Sequence, residues 1–173
     1  MLSFSPSLSP NSSAFALFIT EKYSYKDPKG ILPKDIKSKI DLFLQSLKAK
    51  SNKEEINTLD ISEKKKCFII KIKDKYESYY FEEIGASFFN YIKNYKTINS
   101  VDIYADSLSE NKDKLSKMFS EFVFGFDLKS YTFHKYKTLN KEKINKKIIY
   151  KIISLNKKNI ENNYKYYNAI KEG

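Results

Sequence analysis

Apolar positions along the chain switch between two periods, and each switch marks the edge of an element. Leu2 to Ser5 predicts a short first strand, Pro6 and Pro10 a loop, and the unbroken run AFALFIT, Ala14 to Thr20, a buried strand. After a turn around DPKG, Ile36, Ile40, Phe43, Leu44 and Leu47 share one helical face, with Pro33 in the first turn and an end in the lysine-rich stretch near Ser51. INTLDI, Ile56 to Ile61, alternates, whereas CFIIKI, Cys67 to Ile72, is apolar enough for a central strand. The two predict neighbours in a sheet, joined by the short loop SEKKK, whose three lysines read as a solubilising turn.

The second half repeats the alternation. Phe81, Ile84, Phe88, Ile92 and Tyr95 lie on one helical stripe, and VDIYA, Val101 to Ala105, reads as the next strand. A strand, helix and strand in this order predict a parallel pair with a crossover helix, the unit from which layered α/β domains are built. Leu115, Met118, Phe119, Phe122, Val123 and Phe126 then form a broad helical face, Lys147 to Ile153 a last strand, and Ile160, Tyr164, Tyr167 and Ile170 the stripe of a terminal helix. KTLNKEKINKK reads as a solvated connection, and Gly85 and Gly125, inside helical stretches, read as places where a helix packs closely against a strand.

At 173 residues the chain accommodates one core with a terminal extension, and 41% hydrophobic with 16% aromatic residues is too much burial capacity for a disordered protein. The expected architecture is α/β, a layered mixed sheet flanked by helices, with an N-terminal domain over 1–155 and a helix over 156–173. The net charge of +11 invites a polyanion partner. Every one of the 32 basic residues is lysine, however, and bidentate phosphate or base-edge recognition favours the guanidinium fork. Solvated surface lysine, in a composition rich in Lys, Ile, Asn, Tyr and Phe, therefore stands beside the nucleic-acid reading.

The catalytic inventory is thin. Cys67 is the only cysteine and lies in an apolar run, so it reads as a buried thiol in a reducing compartment, with no disulfide framework. The N-terminus has no positive region, and Ala14 to Ile19 is too short for a signal core or a membrane span, so a cytoplasmic chain is the expectation. His134 is the only histidine and lacks an evident partner, which leaves no metal-binding helix motif and a single candidate base for a serine nucleophile, with no GxSxG elbow present. Gly30, Gly85, Gly125 and Gly173 stand too far apart for a phosphate-cradling loop. The pairs Glu54 with Glu55 and Glu82 with Glu83 are adjacent, so on a helix they point about 100° apart and cannot face one atom.

One stretch carries a family resemblance. GFDLKSYTFHKYKT, Gly125 to Thr138, resembles the segment that closes the N-terminal domain of cytosolic leucyl aminopeptidases, where a helix ending in glycine and small or apolar residues precedes a pattern close to S-Y-x-F-D-[KR]-Y-K-T. Ser130, Tyr131, Phe133, Lys135, Tyr136, Lys137 and Thr138 match it, while His134 stands where that family usually has aspartate. The order of predicted elements is similar too, including the small residues of EEIGASFF. The last residues, NAIKEG, resemble the A-x-x-E-G of the family's linker helix, which leads into a segment like V-x-x-A-R-D-L. Gly173 thus reads either as an ordinary helix stop or as a point just before a catalytic half.

The resemblance implies a macro-domain-like fold, a parent enzyme that removes N-terminal amino acids from peptides, and a hexamer with this domain on its outside. It also implies two divalent cations, zinc or manganese, whose ligands belong to the C-terminal catalytic domain, so no catalytic or metal residue is carried onto this chain. The domain's own role would be assembly and access. Macro domains bind ADP-ribose through glycine-rich loops, which this chain lacks. The alternative is a basic nucleic-acid-binding module, for which the aromatics among lysines in YTFHKYKT and YKYY would offer stacking beside phosphate contacts.

Overall fold

The computed structural model describes residues 1–139 and 147–172. Strands β1 (Ala14–Ile19), β2 (Ile56–Ser62), β3 (Lys65–Lys71), β4 (Ser100–Tyr104) and β5 (Ile149–Ile153) form one sheet in the spatial order β2-β3-β1-β4-β5. β1 is parallel to both β3 and β4, β5 is parallel to β4, and β2 closes one edge antiparallel to β3. Helices α1 (Lys34–Ala49), α2 (Tyr80–Ile92), α3 (Lys112–Leu139) and α4 (Lys157–Glu172) cover it. The protein is a layered mixed α/β domain.

β1 shows why its sequence does not alternate. It lies in the middle of the sheet with both faces covered, so every residue from Ala14 to Ile19 is buried. Phe15, Leu17 and Ile19 point to one layer, where they meet Ile40, Leu44 and Leu47 of α1. Ala14, Ala16 and Phe18 point to the other, toward α2, α3 and α4. The small Ala16, set between Phe68 and Ile103 of the neighbouring strands, leaves room for large rings above it. Phe18 takes Phe119 edge-on at 4.7 Å and Phe122 at 5.2 Å between ring centres. Each such wholly buried ring stabilises the fold by about 1.5–3 kcal/mol relative to exposure.

Four expectations are corrected. β3 and β4 are parallel and joined through α2, but β1 is inserted between them, because the crossover passes over the central strand. Leu2 to Ser5 forms no full strand: it makes a single bridge, Phe4 to Ile152, on the outer side of β5. Gly85 and Gly125 do serve close packing, yet of helix against helix rather than helix against strand. A Cβ on Gly85 would fall on the carbonyl oxygen of Phe122, and one on Gly125 on that of Glu82, so α2 and α3 cross with their backbones in contact. Finally, α3 does not stop near Gly125. It continues to Leu139, about 42 Å in all, and takes in the first residues of the expected solvated connection, the rest of which lies largely outside the described residues.

The DPKG turn behaves as its residues dictate. Gly30 adopts φ +60° and donates its N–H to the Asp27 carbonyl at 3.0 Å. The Asp27 carboxylate accepts the N–H groups of Ile31 and Leu32, which delivers the chain into α1.

Candidate functional site

In an open α/β sheet, ligands bind beyond the carboxyl ends of the strands, where the strand order reverses. Here that point lies at β1 and β4, since the chain leaves β1 toward β3 and later leaves β4 toward β5. Four segments meet there: the loop from Thr20 to Pro33, the turn Ala105–Ser107 after β4, and the two ends at Ser154 to Asn156 and Ser109 to Asn111 that open α4 and α3.

The crevice is occupied by the chain's own groups. Ser107 Oγ accepts the Phe18 N–H at 2.9 Å and donates to the Tyr104 carbonyl at 2.7 Å, standing in for a strand partner where β4 turns away. The Ser107 carbonyl accepts the Lys26 N–H at 2.8 Å, which draws the β1–α1 loop across the opening. Tyr104 Oη donates to Asp27 Oδ1 at 2.6 Å. Burial, and then that carboxylate, push the Tyr104 phenol far above its ordinary value, so it remains a neutral donor.

The segments that lead into the helices are tied down as well. Before α4, the buried Asp106 accepts the Ser154 hydroxyl at 2.6 Å and the Leu155 N–H at 2.5 Å. At α3, Asn111 Oδ1 accepts the Lys114 N–H at 2.9 Å. What remains open is a cavity of about 430 Å³ lined by Asp27, Asp106, Glu110 and Lys26 among others, in which Asp27 and Asp106 accept hydrogen bonds from the chain and Glu110 pairs with Lys114 at 3.0 Å.

Cys67 is fully buried in β3, and burial pushes its thiol well up, which makes it inert toward chemistry. Among the described residues no three His, Cys, Asp or Glu side chains gather so as to hold a cation. Nor is any helix among them long and apolar enough to cross a membrane.

The residues of the sequence motif fall into two groups. Gly125 lies at the α2–α3 crossing. Ser130, half-buried, and Tyr131 and Lys135, both exposed, follow on the distal part of α3. Phe133, Tyr136, Lys137 and Thr138 occupy helical positions there, and their side chains, like that of His134, lie outside the described residues. The motif is therefore a continuation of the helix, not a segment after it.

Between these groups sits a constellation that the sequence reading missed. Asp127 accepts the hydroxyls of Tyr150 of β5 at 2.7 Å and of Tyr164 of α4 at 2.5 Å, and Glu121 accepts that of Tyr167 at 2.7 Å. These bonds bind α4 and the edge strand to α3. The signal lies in the sequence, since half-buried tyrosines need acceptors for their hydroxyls and Asp127 and Glu121 flank an apolar helical face. The stripe of α4 ends early: Ile160 is buried, whereas Ile170 is 61% exposed.

No protein-family model matches the sequence, and no curated protein matches it. Solved structures do. The chain is similar to a mutant of tomato leucine aminopeptidase, with a TM-score of 0.65 at 12% identity over 93% of this chain and 35% of that one. It is also similar to the macrodomain of Thermus aquaticus DarG, with a TM-score of 0.57 at 9% identity over 89% of this chain and 98% of that one. At such identities the likeness is one of fold, shared by an aminopeptidase domain and a macrodomain. This chain spans about a third of the aminopeptidase's length.

Proposed function

We propose that the chain is a non-catalytic N-terminal domain of a leucyl aminopeptidase, contributing assembly and access to an enzyme whose chemistry resides in a separate catalytic domain. The observation that carries this reading is the fold shared with part of tomato leucine aminopeptidase over 93% of the chain, together with the motif from Gly125 to Thr138. The macrodomain alternative rests on fold likeness at 9% identity, and the glycines of this chain stand too far apart for a phosphate-cradling loop.

In this reading α4 leads toward the catalytic domain, the full protein forms a homo-oligomer, a hexamer by family resemblance, and two divalent cations belong to the other domain. The nucleic-acid alternative has less to stand on at YKYY, where Tyr164 and Tyr167 are bonded to α3 and Tyr166 is the exposed ring. The purified 173-residue chain, incubated with zinc or manganese, is expected to release no leucine from a leucyl anilide. Saturable, chelator-sensitive release would overturn the proposal.

A further inference from the structure

Four lysines converge on a second cleft, on the α1 side of the sheet. The β1–α1 loop contributes Lys22 and Lys26, and one stripe of α1 contributes Lys37 and Lys48, around a volume of about 550 Å³. Positions 37, 41, 44 and 48 recur at helical spacing, so the convergence follows from the sequence once the loop lies across α1. All four lysines are exposed, and among the described residues none of their ammonium groups lies within ion-pair distance of a carboxylate.

The four lysines outnumber the two carboxylates of the cleft, Asp27 and Asp41, whose hydrogen bonds go to other groups. Asp41 accepts the Tyr25 hydroxyl at 2.7 Å, and Asp27 accepts Tyr104 and two backbone N–H groups. Tyr23, on one wall, is held in place from three directions. Its N–H donates to the Thr20 carbonyl at 2.9 Å, its hydroxyl donates to the Asn52 carbonyl at 2.9 Å, and Lys71 Nζ lies 4.9 Å from its ring centre. These contacts keep Tyr23 at φ +59°, a conformation that a residue with a side chain seldom adopts. The wall is thus preorganised, while the four lysines beside it make no ion pair among the described residues.

We infer that this cleft binds a compact anion bearing two or more phosphates. Cations supplied by both the loop and the helix favour a ligand that carries more than one phosphate over one that carries a single charge centre. Lysines, as mobile point charges, suit a ligand whose phosphates have no fixed planar geometry. The inference is independent of the aminopeptidase reading and locates a polyanion site that net charge alone could not.

Calorimetric titration at physiological salt with inorganic phosphate, pyrophosphate, tripolyphosphate and ATP tests it. Tripolyphosphate is expected to bind saturably and more tightly than phosphate. Lys37→Ala and Lys48→Ala should each weaken it about tenfold or more, the loss of one charge-assisted contact. Lys64→Ala and Lys96→Ala, which remove the same charge from the β2–β3 turn and from the segment after α2, should leave affinity within about twofold. ATP binding more tightly than tripolyphosphate would show that the tyrosine wall takes the base, and equal affinities would show that phosphate alone is read. Absence of saturable binding, equal affinity for phosphate and tripolyphosphate, equal losses in the control variants, or binding of a single-stranded oligonucleotide with none of the small probes would each overturn the inference.

Discussion

Gly85 of α2 lies against the main-chain carbonyl of Phe122 of α3 with no room for a methyl group, and Gly125 of α3 meets the carbonyl of Glu82 in the same way. In an exposed helix interior, alanine is favoured over glycine by about 0.8–1 kcal/mol. At this crossing the sign reverses, because a backbone carbonyl cannot rotate aside and the helices must separate around Phe88, Phe122 and Phe126. Gly85→Ala and Gly125→Ala are each expected to destabilise by about 1–3 kcal/mol in urea unfolding, as overpacked cores do. Stabilisation by either would show that the helices are not in backbone contact.

The Asp127 network fixes α4 and β5 to α3. Tyr150→Phe and Tyr164→Phe each remove one hydroxyl donor from that carboxylate, and each should lower stability by about 1.5–3 kcal/mol, the range for hydrogen bonds to a charged group. The double variant should depart from additivity, since both phenols serve one acceptor. Asp127→Ala, which strands both hydroxyls, is expected to loosen α4 selectively, read as faster amide exchange along Lys157–Glu172. Uniform loss of protection across the sheet would contradict a local role.

Alkaline pH acts on these phenols in a definite direction. Burial raises Tyr25, Tyr104, Tyr150, Tyr164 and Tyr167 well above their ordinary value, helped by Asp41, Asp27, Asp127 and Glu121, and burial brings Tyr80 up to about 12. A group whose folded pKa lies above its unfolded value near ~10 contributes fully below that pH and loses its contribution as pH rises through the folded value. Stability should therefore fall from about pH 10 upward. Part of the phenolate absorbance should appear only with unfolding. Titration of every tyrosine near pH ~10 with the fold intact would refute the burial of these hydroxyls.

Ser107 offers a sharper test at the carboxyl edge. Ser107→Ala leaves the Phe18 N–H, in the central strand, without its acceptor, and the wholly buried site admits no replacement. An unsatisfied buried donor costs about 1–3 kcal/mol, so a loss in that range is expected from thermal or urea unfolding. No loss would show that the crevice admits water.

Much of this architecture was legible because burial writes itself into period. The unbroken apolar run of β1 announced a buried strand, the alternation of Ile56 to Ile61 a strand beside Cys67 to Ile72, and the stripes from Ile36 and Phe81 two helices. What was not legible depends on partners distant in sequence. Nothing local reveals that β1 separates β3 from β4, that Gly85 meets Phe122, or that Tyr150 and Tyr164 share Asp127. The end of α3 was missed for a related reason: beyond Phe126 its described side chains from Tyr131 onward are exposed, so no apolar face marks the continuing turns. The lysine cleft was equally invisible, because Lys22 and Lys37 become neighbours only when the loop between them folds over α1.

The central claim, that this domain supports an aminopeptidase without performing its chemistry, is tested most directly on the native protein. Antibodies raised against the 173-residue chain should recover from native extract a longer polypeptide that hydrolyses leucyl anilide and loses that activity to a chelator, whereas the chain alone does not. Recovery of a protein with no peptidase activity, with or without added zinc or manganese, would contradict the claim.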